Sequence, residues 1–205
     1  MDVAARSLPR RLHAITGLVP VGVFLVFHLA VNASATRGAD AYNETARRLQ
    51  ELPLAAVLEI VLIAAPILYH GLYGLFLTAS RPTGEPDAAP SRRRIAIFQR
   101  ATGVPLFAFI LFHLWTTRLV QVRDHGDLDL FHWMQGLYAT PWIRVAYVVG
   151  LFAATSHFSA GLCMSAEDWG LSRSRATRIS VAVVASAIFV ALFSTGLRSL
   201  AAFRL

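Results

Sequence analysis

The chain contains no lysine. All 19 basic residues are arginine, and only 12 carboxylates oppose them. Charge of either sign is scarce, at 15% of 205 residues, while 56% are hydrophobic and the mean hydropathy is +0.54. That balance excludes an ordinary soluble domain and fits a chain that crosses a bilayer several times. A basic protein can bind nucleic acid, but these arginines flank apolar runs, where membrane-anchoring charges belong, so no nucleic acid partner is expected. One cysteine, Cys163, excludes an internal disulfide. It reads as a buried packing residue.

Long apolar runs dominate what is present. A spanning helix needs about 20 mostly apolar residues. Five segments qualify, near 12–33, 54–79, 96–117, 141–164 and 178–200. The loops between them are short, so residues 1–205 read as one domain, an all-α membrane protein of five transmembrane helices. The N-terminal RSLPRRLH, with the apolar run and NASAT after it, has the outline of a signal peptide. The run is long for that role and carries a histidine that recurs later, so it is kept as the first span. Arginine counts give eleven on the side of the N-terminus (Arg6, Arg10 and Arg11 first among them) and eight on the other. The predicted topology is N-terminus inside and C-terminus outside. The inner SRPTGEPDAAPSRRR reads as a flexible loop and the outer ADAYNETARRLQEL as a short surface helix.

Four of seven histidines sit inside spans, one per helix: His28, His70, His113 and His157, at intervals of 42, 43 and 44 residues. Their surroundings repeat. Pro20 to Leu29 and Pro105 to Leu114 share P-x-x-x-F-[LI]-x-F-H-L; His70 to Leu75 and His157 to Leu162 share H-x-x-x-G-L. Helices one and two therefore look like a unit repeated by three and four. Gly74 and Gly161 lie one turn from their histidines, either to let a flat group approach or simply for close helix packing.

Depth sorts the four. At about 1.5 Å per residue, His28 and His113 fall within roughly two turns of the outer boundary, and His70 and His157 lie about 25 Å below Pro53 and Pro141. Two layers of two histidines on facing helices suit two bis-histidine haems held in a bundle core. No C-x-x-C-H occurs, so attachment is not of the c type. A proton relay or a transition-metal site in a colourless transporter is the other reading; a metal carrier would add carboxylates or thiolates, which are few here.

RRLHAITGLVPVGVFLVFHLAVN, LPLAAVLEIVLIAAPILYHGLYGL, FQRATGVPLFAFILFHLW and SHFSAGLCMSAEDWGL, in that order, resemble the di-haem cytochrome b anchor of succinate:menaquinone oxidoreductases and fumarate reductases, closest to the single-subunit Bacillus type. The likeness covers nearly the whole chain. Its most specific features are the four histidines, then Thr16-Gly17, Thr102-Gly103 and Trp169-Gly170.

The resemblance implies two haem b groups, with axial ligands His28 and His113 outside and His70 and His157 inside. It implies an iron–sulfur subunit and an FAD flavoprotein as partners, which carry the succinate chemistry. Electrons would pass from the cytoplasmic face of a bacterial plasma membrane to menaquinone or another quinone near the outer surface. His13, Gln99 and Arg100 look like haem-propionate partners, although Arg100 reads equally as an interfacial anchor. Glu59, three turns before His70, and Glu44 in the outer loop are the candidate quinone acids. Burial would raise the pKa of Glu59 and suit it to take a quinone proton; its other reading is a structural hydrogen bond. Working direction, succinate oxidation or fumarate reduction, stays open. So does service to another dehydrogenase, such as a hydrogenase or formate dehydrogenase. Helix five, with neither histidine nor acid, reads as structural.

Overall fold

The computed structural model describes residues 8–80, 90–119 and 129–204. Arg6, Arg81, Arg123 and His125 lie outside those residues, as does most of the Pro-rich inner segment. Among the described residues there is helix and no strand. Among the described residues five helices are long and apolar enough to cross a membrane: Leu8–Arg37, Ala55–Ser80, Pro90–Leu119, Pro141–Asp168 and Arg175–Ala202. Four of them outrun the predicted span; the second, Ala55–Ser80, has the same length as predicted, shifted by one residue. The third begins at Pro90, a residue suited to a first helical turn, so Arg92, Arg93 and Arg94 are helical and not loop.

Local chemistry explains the ends. Thr140 is extended and Pro141 opens the fourth span. That span stops at Trp169-Gly170: Gly170 takes a left-handed φ of 72°, its N–H donates to the Glu167 carbonyl, and the Leu171 N–H donates to the Ala166 carbonyl. The fifth starts on a capping box, with the Ser174 hydroxyl accepting from the Thr177 N–H and the Thr177 hydroxyl accepting from the Ser174 N–H. Three wide π-helical turns interrupt the spans, at Gly17–Val21 around Pro20, at Glu59–Ala64 and at Trp115–Leu119.

The first four spans pack as neighbours around a ring, first to second, second to third, third to fourth and fourth to first. The fifth lies outside, against the fourth and first. Gly196 of the fifth is a socket for the Leu151 side chain; a Cβ there would stand 2.5 Å from its Cδ1. This supports the structural reading of that helix. Cys163 is half-buried, not enclosed as expected.

Two surface helices cap one end. Ala39–Gln50 is the expected outer helix, and Leu130–Ala139 is a second. Asn43 clasps them: its amide donates to Asp129 (2.8 Å) and its carbonyl accepts from the Phe131 N–H (3.1 Å). Beneath lies the main hydrophobic core, with Ala35, Phe131, Met134, Tyr138, Ile143, Tyr147 and Phe203 all buried.

Candidate functional site

The four span histidines stand as two pairs across the ring's diagonals. His28 of the first span and His113 of the third have ring centres 5.7 Å apart. His70 of the second and His157 of the fourth are 6.1 Å apart. Both pairs meet nearly edge to face, at 80° and 85°. No three His, Cys, Asp or Glu side chains converge as a metal-holding group among the described residues.

The His70–His157 pair, expected to be the inner one, is built by the repeat. His70 Nδ1 lies 2.8 Å from the His13 carbonyl oxygen, and His157 Nδ1 lies 3.1 Å from the Gln99 carbonyl oxygen. A carbonyl only accepts, so Nδ1 carries the proton and Nε2 presents its lone pair. Each acceptor precedes its Thr-Gly by the same interval. The Thr16 and Thr102 hydroxyls donate to these carbonyls as well, at 3.1 and 3.3 Å. Gly17 and Gly103 let the rings approach: a Cβ on Gly17 would overlap His70, and one on Gly103 would stand 3.0 Å from His157. In each case the accepting carbonyl belongs to the neighbouring helix.

The His28–His113 pair, expected to be the outer one, uses side chains. Asn32 donates to the His28 carbonyl (2.8 Å) and approaches His28 Nε2 (3.4 Å), and the Tyr42 hydroxyl donates to Asn32 (3.2 Å). The Tyr147 hydroxyl lies 3.4 Å from His113 Nδ1 and 2.9 Å from the Thr116 hydroxyl. Phe109 stacks on His113 and Phe24 tilts against His28. Asn32, Thr116 and Tyr147 escaped the sequence reading; only the H-x-x-x-N spacing from His28 to Asn32, one helical turn, pointed at any of them.

A family model described as the succinate dehydrogenase/fumarate reductase transmembrane subunit matches residues 90–194. The succinate dehydrogenase cytochrome b558 subunit of Bacillus subtilis is 36% identical over 196 residues, 95% of each chain. No solved structure matches. The chain belongs to the succinate dehydrogenase/fumarate reductase transmembrane subunit family. The resemblance drawn from its four histidine-bearing segments named that family, and as a transmembrane subunit the protein is multi-pass.

In this transmembrane subunit His13 stacks on His70, with ring centres 4.0 Å apart and planes at 7°. His13 and Gln99 occupy matching places. A Cβ on Gly74 would stand 3.2 Å from His13, and one on Gly161 would stand 3.0 Å from Gln99. His13 Nδ1 and Gln99 Oε1 are both buried without a hydrogen-bond partner. Arg100 follows Gln99 and is half-buried.

Of the two acids, Glu59 departs from its expected burial and Glu44 lies where expected, on the outer surface helix. Glu59 is not buried: its side chain is 45% exposed and pairs with Arg118 at 2.8 Å. It sits in the π-helical turn Glu59–Ala64. One extra residue in a turn rotates what precedes it by roughly a quarter turn, off the face of His70. Glu44 lies on the surface helix between Arg47 (2.6 Å) and Arg48 (2.7 Å). The hydrogen bond from Arg48, then that from Arg47, holds its carboxyl below the ordinary carboxylate range.

Proposed function

We propose that this chain is the membrane anchor and electron-transfer subunit of a bacterial succinate dehydrogenase. His70 and His157 hold one haem b on the inner side, and His28 and His113 hold a second on the outer side. The observation that carries this reading is the pairing of four histidines across two diagonals of one bundle. A first-row metal–imidazole bond of about 2.0–2.1 Å puts two rings on one metal atom roughly 6 Å apart, centre to centre. Both observed pairs fit that span. The residues fit the rest of the group too: glycines face the inner rings, and the orphaned His13 Nδ1 and Gln99 Oε1 are ready hydrogen-bond partners for propionates, with Arg100 beside them.

Bound haem supplies one-electron redox chemistry. The chain's own residues hold, orient and insulate. The His13 and Gln99 carbonyls fix the inner imidazole tautomers; Asn32 and Tyr147 orient the outer ones. Electrons enter at the His70–His157 level from an iron–sulfur subunit docked on the cytoplasmic face, fed by an FAD flavoprotein. They leave at the His28–His113 level to menaquinone or a related quinone. In this scheme the N-terminus is inside, residues 1–205 form one domain, and electron flow couples to the membrane potential at about 2.3 kcal/mol per 100 mV for each charge moved. The Glu59–Arg118 pair and Glu44 are the polar groups offered to a quinone on the outer side.

The test is a dithionite-reduced minus oxidised spectrum, with haem counted per chain, on wild type and on H28A, H70A, H113A and H157A. Two haems in the wild type, with losses falling into the classes {28, 113} and {70, 157}, are expected. A folded, colourless wild type overturns the reading, and a single haem overturns the two-layer assignment.

A further inference from the structure

Two glycine–phenylalanine contacts close the bundle beside the inner histidines. A Cβ on Gly22 of the first span would overlap the Phe158 ring of the fourth, and a Cβ on Gly71 of the second would overlap the Phe107 ring of the third. In the repeat these positions correspond. Gly22 precedes His28 as Phe107 precedes His113, and Gly71 follows His70 as Phe158 follows His157. The two contacts are therefore one contact with knob and socket exchanged. They occupy the fourth-to-first and second-to-third edges of the ring. The other two edges are closed by His70 against Gly17 and by His157 against Gly103. The inner pair is thus walled on all four sides.

The outer level differs. There the third-to-fourth edge has a socket of the same kind, Phe109 against Gly150, but the second-to-third edge carries the Glu59–Arg118 ion pair. At the second-to-third edge a lipid-dissolved molecule meets a phenyl ring seated on a glycine at one level and a polar side-chain link at the other.

We propose that Phe107 and Phe158 are lateral plugs that keep a lipid-dissolved quinone away from the His70–His157 level, so that electrons leave the bundle only at the outer level. This rests on the electron path proposed above. Each quinone takes two electrons and two protons to become quinol; the electrons come from succinate, which is oxidised to fumarate elsewhere in the complex. Exit at the inner level would complete that reaction without carrying charge across the membrane. A phenyl ring in a glycine socket suits a seal, because the two backbones approach closely and leave no gap a lipid can enter. The plugs act by exclusion and touch no reacting atom, so they are positioning residues.

Two measurements test this on the whole complex. The first uses proteoliposomes carrying H113A, in which the outer exit is disabled. With the plugs intact, succinate still reduces the inner absorbance and quinone reduction stays at background. Adding F107A and F158A should raise quinone reduction at least tenfold. Retained inner absorbance with background quinone reduction overturns the plugs. The second needs no variant: a photoactivatable azidoquinone is crosslinked to wild-type membranes and mapped by mass spectrometry. Label confined to outer-level residues is expected, and label on Gly71, Phe107 or His157 overturns the proposal even if the alanine variants do not assemble. A wild-type complex without succinate-reducible absorbance would instead sink the underlying electron path.

Discussion

His70 and His13 are locked together twice: His70 donates to the His13 carbonyl at 2.8 Å while the two imidazoles stack with centres 4.0 Å apart. The fourth span repeats half of this. His157 donates to the Gln99 carbonyl, but Gln99 brings an amide where His13 brings a ring. The two halves of the bundle thus share a backbone device and differ in the side chain laid against it.

The device depends on glycine, and unequally. At Gly17 an added Cβ overlaps the His70 ring; at Gly103 it stands 3.0 Å from His157, a distance that slight movement relieves. Overpacking of this kind costs about 1–3 kcal/mol. G17A is expected to lose the inner haem spectrum, and G103A to retain most of it. Haem counted per chain on the two purified variants checks the order, and equal loss would refute the unequal fit.

The outer histidines offer a milder lesion. The Tyr147 hydroxyl touches both Thr116 and His113, and a neutral hydrogen bond contributes about 0.5–1.5 kcal/mol. Y147F keeps the ring and removes the oxygen. The expected outcome is two haems per chain, with the electron paramagnetic signal of one centre shifted and the other unmoved. The signal that shifts should be the one that H113A abolishes.

Much of this was legible in the sequence because a membrane leaves few solutions. Backbone groups must be satisfied within each span, so apolar runs of sufficient length become helices. A histidine in such a run needs a reason, and four at near-equal intervals repeat that reason. The pairing in depth followed from rise per residue. What escaped depended on rotation about the helix axis. The π-helical turn at Glu59–Ala64 turns Glu59 toward Arg118, and periodicity arithmetic assumes a constant 3.6 residues per turn. The knobs at Phe107 and Phe158 were hidden for a similar reason: each resembles any core phenylalanine until the glycine opposite it is known.

The cap of the bundle carries a pH dependence of defined sign. Hydrogen bonds from Asn43, then from the His132 side chain and N–H, hold the Asp129 carboxyl at about 2, below its ordinary 3.8. A depressed folded-state pKa means stability that is complete above 3.8 and is lost as pH falls toward about 2. Asp129 is 49% exposed, so solvent screening keeps the contribution below about 1 kcal/mol. Hydrogen exchange at the Phe131 and His132 amides should quicken, relative to the fourth span, between those two pH values. D129N should flatten the pH response. Unchanged relative protection at pH 2.5 in the wild type would show that the clasp does not depend on the ionised carboxylate.

At the opposite end, Arg92 joins the third span to the fourth through Glu167 (3.1 Å) and Asp168 (2.7 Å). The three side chains are only 20%, 21% and 10% exposed. Their removal from bulk water strengthens the pairs beyond surface values and makes a lone carboxylate costly. R92A leaves two acids facing each other and is expected to cost roughly 1–3 kcal/mol, between the exposed and buried limits. R92A/D168A should recover part of that loss, because the more enclosed of the two carboxylates that lose Arg92 is gone. Thermal unfolding of detergent-solubilised wild type, both single variants and the double variant closes the cycle. A double variant no more stable than R92A would mean that Asp168 is not the charge Arg92 neutralises.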